Sequence, residues 1–185
     1  MFINPQEDAA IKRLTGEFNS LLRSPNTNYG ITVGLPDKND MFHWRATLAG
    51  PKDSSYSGGT FILTISFPKN YPNSAPEVCF KTPIYHVNVN PKQLPNNGEK
   101  LGHVCISTLN WWKPEYKMRE VLSKIYALFY MANPESPYGL ERGMELRNNK
   151  TLYEEKAKYF TKKYANPGYC KIDKDYSDSW DFTYK

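Results

Sequence analysis

Cysteine is scarce in this chain, histidine is equally scarce, and no long apolar run is present. The 185 residues hold three cysteines, Cys79, Cys105 and Cys170, and three histidines. An odd number of cysteines without paired spacing argues against a disulfide scaffold and fits a reducing cytoplasmic or nuclear setting. A zinc site built from Cys79, His86, His103 and Cys105 would lack the usual paired ligand spacing. No apolar stretch approaches membrane-spanning length, and the mean hydropathy is −0.68. The opening residues, Met1 to Asp8, lack the basic start and apolar run of a secretory signal. Charge of either sign is also modest. The 24 basic and 19 acidic residues leave a net charge of +5, without the dense basic patch of a nucleic-acid binder or a like-charge tail. Neither a membrane nor a nucleic acid is an expected partner, no tightly bound cofactor or metal is implied, and the chain is expected to act as a monomer.

What is present is enough for one domain with a real core. Asn4 can cap a helix, Pro5 suits its first position, and Glu7 is placed to close a capping box. Ile11, Leu14, Phe18, Leu21 and Leu22 then share a face at helical spacing, and Ser24-Pro25 ends the helix. Four strands are predicted near Tyr29–Leu35, Met41–Ala49, Thr60–Phe67 and Glu77–Lys81. In the third, Phe61, Leu63, Ile65 and Phe67 alternate with Ile62, Thr64 and Ser66. Short turns such as Lys38-Asn39-Asp40 and Ser57-Gly58-Gly59 suit an antiparallel meander. About forty irregular residues follow, a length that is uncommon unless the segment has a task. A nearly all-apolar helix is predicted from Met118 to Met131, broken by Asn133-Pro134. A short helix and a longer one, Asn149–Tyr164, come next. The fold class is α+β with segregated layers: an N-terminal helix, a four-stranded antiparallel meander, a long loop, then central and C-terminal helices. Residues 1–167 form the domain, and 168–185 are expected to be a loosely attached tail.

Cys105 lies inside the long irregular segment. Tyr85-His86-Val87-Asn88-Val89-Asn90 precedes it, followed by an insert rich in Pro, Asn and Gly, then Val104-Cys105-Ile106-Ser107. A cysteine in apolar company is either a nucleophile or a small buried hydrophobe. Cys79, alternating with Val78 and Phe80, reads as core, and Cys170 as incidental. His103, two residues before Cys105, shares its side in an extended segment. It is either a surface histidine or a cation able to activate the thiol.

The order of elements, with particular residues in it, resembles the ubiquitin-conjugating enzymes over roughly Ile11 to Tyr164. Lys12-Arg13-Leu14 is similar to the family's first helix. Met41-Phe42-His43-Trp44, Ala49-Gly50-Pro51, Tyr56, Gly58-Gly59 and Phe61 resemble its second and third strands. Phe67-Pro68, Tyr71-Pro72 and Ala75-Pro76 resemble the loop before the fourth strand. Tyr85-His86-Val87-Asn88 stands where the family has a His-Pro-Asn motif. Val104-Cys105-Ile106-Ser107, Trp112, Pro114 and Asn133-Pro134 complete the likeness.

The resemblance implies a transferase that carries ubiquitin as a thioester on Cys105 and passes it to a substrate lysine. Asn88 would stabilise the tetrahedral oxyanion, unless its amide only orders the loop. His86 would be structural, with Ser107 and Ser136 supporting the site. Lys12, Arg13, Asn73 and Pro114 would meet the activating enzyme and a ubiquitin ligase, unless they are simply a solvated helix face and loop residues. The implied partners are ubiquitin or a ubiquitin-like modifier, the activating enzyme, a ligase and protein substrates. ATP would be used by the activating enzyme.

Departures from the family pattern temper this. Val87 replaces Pro, so the loop loses a fixed φ and needs other contacts. Pro91 to Lys100 lengthens the segment before Cys105, either as a gate or recruiting element or as a tolerated surface insertion. Ser107 and Ser136 stand where carboxylates are frequent, with Glu135 the nearest acidic candidate, and Asn73 stands where a large apolar residue is common. Trp112-Lys113-Pro114 and Leu146-Arg147-Asn148-Asn149 resemble the neddylation branch. The rival readings are a carrier of a ubiquitin-like modifier, a non-catalytic binding module, and a cysteine hydrolase using Cys105, His86 and Asn88.

Overall fold

The computed structural model of the chain describes residues 4–24, 30–92, 100–135, 137–166, 168, 180 and 182–184. Helix α1 spans Pro5–Arg23, and Asn4 caps it by accepting from the Gln6 amide at 3.0 Å. The expected capping box is replaced by a longer-range contact, because Glu7 Oε1 takes Lys69 Nζ at 2.6 Å. Leu14 and Leu21 are buried as the periodicity required. Leu22, at the edge of that face, is 52% exposed instead, while Ala10 and Glu17 complete the buried stripe.

Strands β1 (Ile31–Gly34), β2 (His43–Ala49), β3 (Thr60–Ser66) and β4 (Glu77–Phe80) pair in sequence order as an antiparallel meander. Ile31 faces Leu48, Ala46 faces Leu63, and Leu63 faces Phe80. The alternation in β3 holds for Phe61, Leu63 and Ile65, but Ile62 is buried too. The chain leaving β4 is bonded to both of its backbone groups: Ile62 N–H donates to Thr82 Oγ1, and its carbonyl accepts from Lys81.

The core lies between the sheet and the helices. Trp44 packs against Phe18 and Phe67 with ring centroids 5.1 and 4.8 Å apart. A single turn, α2 (Ser107–Asn110), interrupts the segment read as irregular. Helix α3 covers Met118–Ala127, shorter than the apolar pattern predicts. From Leu128 the chain turns on short i→i+3 bonds, Phe129 to Tyr126 and Tyr130 to Ala127. The apolar run outlives the helix because Phe129 is needed against Tyr56 and Phe61, at 5.0 and 5.2 Å. Helices α4 (Leu140–Asn148) and α5 (Lys150–Tyr164) pack on each other. Of the tail, Phe182 lies against Phe160 and over the Arg142 guanidinium. Among the described residues no helix is long and apolar enough to cross a membrane.

Candidate active site

The segment from Tyr85 to Asn90 is wholly buried, so each of its polar groups needs a partner. His86 supplies two. Its Nε2 lies 3.0 Å from the Leu128 carbonyl, and its Nδ1 accepts from the Asn88 amide at 3.0 Å. That pair of contacts assigns the proton to Nε2. Burial pulls the imidazole down to about 4, aided by the Arg142 charge and opposed by the Leu128 bond, so the ring is neutral near pH 7. His86 therefore bolts the loop.

Asn88 is tied the same way. Its Nδ2 donates to the Asn133 carbonyl and its Oδ1 accepts from the Asn133 amide, both at 2.8 Å. The pair binds the loop to the chain after α3, which is the loop-ordering reading of this residue. Val87 departs from the motif by having an N–H at all, and uses it to donate to Tyr153 Oη on α5 at 2.9 Å. The Val87 carbonyl accepts from Tyr138 at 2.7 Å. The N–H bond is one that a proline could not make, and it holds the loop here from α5.

This loop presents Cys105. The Cys105 amide donates to the Asn88 carbonyl at 2.9 Å, and Val104 donates to Val78 at the edge of the sheet. Exposure alternates along the strip: Val104 and Ile106 are buried, whereas His103 and Cys105 are partly exposed on the other side. His103 does share the side of Cys105, and its Nδ1 lies 2.6 Å from Tyr138 Oη. The Cys105 thiol opens into a groove of about 380 Å³ whose walls include Asn110, Trp111, Lys124 and Asn133. Cys79 is buried, and burial with the Glu77 carboxylate nearby pushes its thiol up to about 12. Ser107 opens α2 and is exposed. Ser136 and Cys170 lie outside the described residues. Glu135 is exposed and pairs with Arg147 at 2.8 Å. No group of three or more His, Cys, Asp or Glu able to hold a metal occurs among the described residues.

The insert leaves and rejoins the loop at Asn90. Its amide donates to the His103 carbonyl and its carbonyl accepts from Gly102, while its side chain reaches Lys92 N–H and the Lys100 carbonyl. Gly102 is required there: its φ is +78°, and a Cβ would fall 2.0 Å from the Phe80 oxygen. Residues 93–99 lie outside the described residues.

A family model described as ubiquitin-conjugating enzyme matches residues 13–161. The chain belongs to the ubiquitin-conjugating enzyme family. Membership accounts for the α+β order and places the chain among the transferases of ubiquitin conjugation. It also implies dealings with ubiquitin, an activating enzyme and a ligase.

The residues expected to meet those proteins gather at one end of this family fold. Trp112 Nε1 donates to the Pro72 carbonyl at 2.6 Å, joining the Asn73 turn to the Pro114 loop. Arg13 Nη2 donates to the Tyr116 carbonyl at 2.9 Å, joining α1 to the same loop. Lys12, Asn73 and Pro114 are exposed there. Arg13 is spent internally: it pairs with Glu17, whose other oxygen takes the Met118 amide at 2.7 Å. Sequence reasoning did not single out Tyr153, Tyr138 or Asn110, and it marked Asn133 only as part of the Asn133-Pro134 pair. Of these only Asn110 is near Cys105 in sequence, five residues away, and proximity is the one cue that could have found it.

Proposed function

We propose that the chain accepts ubiquitin from the activating enzyme as a thioester on Cys105 and transfers it to a lysine. The observation that carries this reading is the contrast between two described thiols. Cys105 is held by its own backbone beside Asn88 and opens into a groove, whereas Cys79 is sealed. In charging, the Cys105 sulfur attacks the carbonyl carbon of the activating enzyme's thioester; a new C–S bond forms, the old one breaks, and that enzyme's thiol departs. In discharge, a lysine nitrogen attacks the same carbon. Asn88 faces the oxyanion formed there, either as a direct amide donor or by holding the loop that shapes the site. Lys12, Asn73 and Pro114 form the docking end for activating enzyme and ligase. Cofactor binding is not part of the cycle on this chain, because ATP is used by the activating enzyme. The action takes place in the cytoplasm or nucleus.

A charging assay on a non-reducing gel tests this, with activating enzyme, ATP and ubiquitin. The expected result is a thiol-sensitive adduct in the wild type and none in Cys105→Ala. A parallel arm uses a ubiquitin-like modifier with its own activating enzyme. Charging in that arm alone reassigns the modifier. Failure in both arms, with a known carrier charging alongside, leaves a binding module.

A further inference from the structure

The chain after Cys105 folds back on the sulfur. Ile106 is extended, at φ −135° and ψ 147°, and its carbonyl accepts from both Leu109 and Asn110, at 3.0 and 3.1 Å. Trp111 closes the turn by donating to the Ser107 carbonyl at 2.8 Å. The single turn α2 is therefore fixed by its own backbone, and it returns the side chain of residue 110 to residue 105. Asn110 Nδ2 lies 3.4 Å from Cys105 Sγ, a hydrogen-bonding distance for sulfur. Both residues line the same groove.

We infer that Asn110 is a catalytic residue: its amide donates to the Cys105 sulfur and stabilises that atom when it carries negative charge. The role rests on Cys105 being the acyl carrier. Its chemistry follows from where charge sits during the cycle. A thiol or thioester sulfur is a weak acceptor, but a thiolate accepts a charge-assisted bond, roughly twice as strong as a neutral one. During discharge the lysine nitrogen bonds to the carbonyl carbon, the C–S bond breaks, its electron pair stays on sulfur, and the amine loses a proton to solvent. The bond from Asn110 strengthens as that pair arrives, so it favours the transition state over the resting thioester. An acyl chain lying in the groove would exclude water and strengthen it further. The site would then use two asparagines on two atoms, Asn88 on the oxygen side and Asn110 on the sulfur.

The test uses the full chain and three proteins: wild type, Asn110→Ala and Asn110→Asp. Asp keeps the shape but replaces the donor with a negative charge. Alkylation of Cys105 by iodoacetamide is followed from pH 6 to 10 by peptide mass spectrometry, which separates it from the buried Cys79. At pH 7 the Ala variant is expected to react roughly threefold more slowly and the Asp variant roughly tenfold. Both curves should move to higher pH and rejoin the wild-type rate at the alkaline end. Single-turnover discharge to free lysine should fall in the same order, with thermal midpoints unchanged because Asn110 is exposed. Superimposable curves overturn the inference, as does a drop of equal size at every pH, which would signal altered access. Wild type that alkylates as described but never charges sinks the carrier reading and the catalytic role, while the sulfur contact itself stands.

Discussion

On one side of Cys105 the segment from Tyr85 to Asn90 is sealed in the core, its bonds reaching to α5, to α4 and to the chain between α3 and α4. On the other side the turn from Ser107 to Trp111 is held by its own backbone, and Trp111 is 78% exposed. Both flank one sulfur, but removal of a bond has different consequences on each side. A buried polar group that loses its partner keeps the full desolvation cost, whereas an exposed one turns to water. The inner segment should therefore answer to damage with stability, and the outer turn with reaction rate.

The sharpest way to break that comparison is Asn88→Ala. It removes two hydrogen bonds made by a buried side chain, while the exposed Asn133 can turn to water, so unfolding in urea should show a loss of about 2 kcal/mol. Reduced discharge with unchanged stability would instead make Asn88 a purely chemical residue and put it with Asn110. A pH series is the next test. The His86 pKa is lowered on folding, from 6.5 to about 4. Unfolded chains therefore bind an extra proton between those values, and the stability His86 contributes is intact above pH 6.5 and lost as pH falls toward 4. The loss from pH 7 to pH 5 should be about 2 kcal/mol by urea unfolding, and His86→Gln should flatten that slope. Tyr153→Phe is milder, costing about 1.5 kcal/mol by leaving the Val87 N–H without its acceptor. A thermal midpoint equal to wild type would mean that Val87 finds another partner and that the proline substitution needs no compensation.

Much of this molecule follows from local pattern. The cap at Asn4, the strand alternation of Phe61, Leu63 and Ile65, and the helix at Asn149–Tyr164 are set by spacings within a few residues. Errors arose where distant chain intervened: Lys69 took the Glu7 carboxylate, and Tyr56 drew Phe129 out of the helical run. The site divides in the same way. Cys105, Asn88 and His86 stand out in one short stretch of sequence. Asn133 stands out only as part of Asn133-Pro134, and its pairing with Asn88, like those of Tyr138 and Tyr153 with Val87, is not legible, because the partners are as much as 66 residues apart and nothing in periodicity encodes such pairings. Asn110 was hidden for another reason: a one-turn helix is too short to leave a periodic signature.

The four bonds of Asn90 have a consequence for how this protein can change over time. One residue closes both ends of the insert, so the number of codons between Lys92 and Lys100 is uncoupled from the placement of the sulfur. Doubling such a segment costs only about 0.6 kcal/mol in closure entropy. Lineages can lengthen, shorten or rewrite it, and an engineer can splice a binding peptide there, while the carrier cysteine keeps its position.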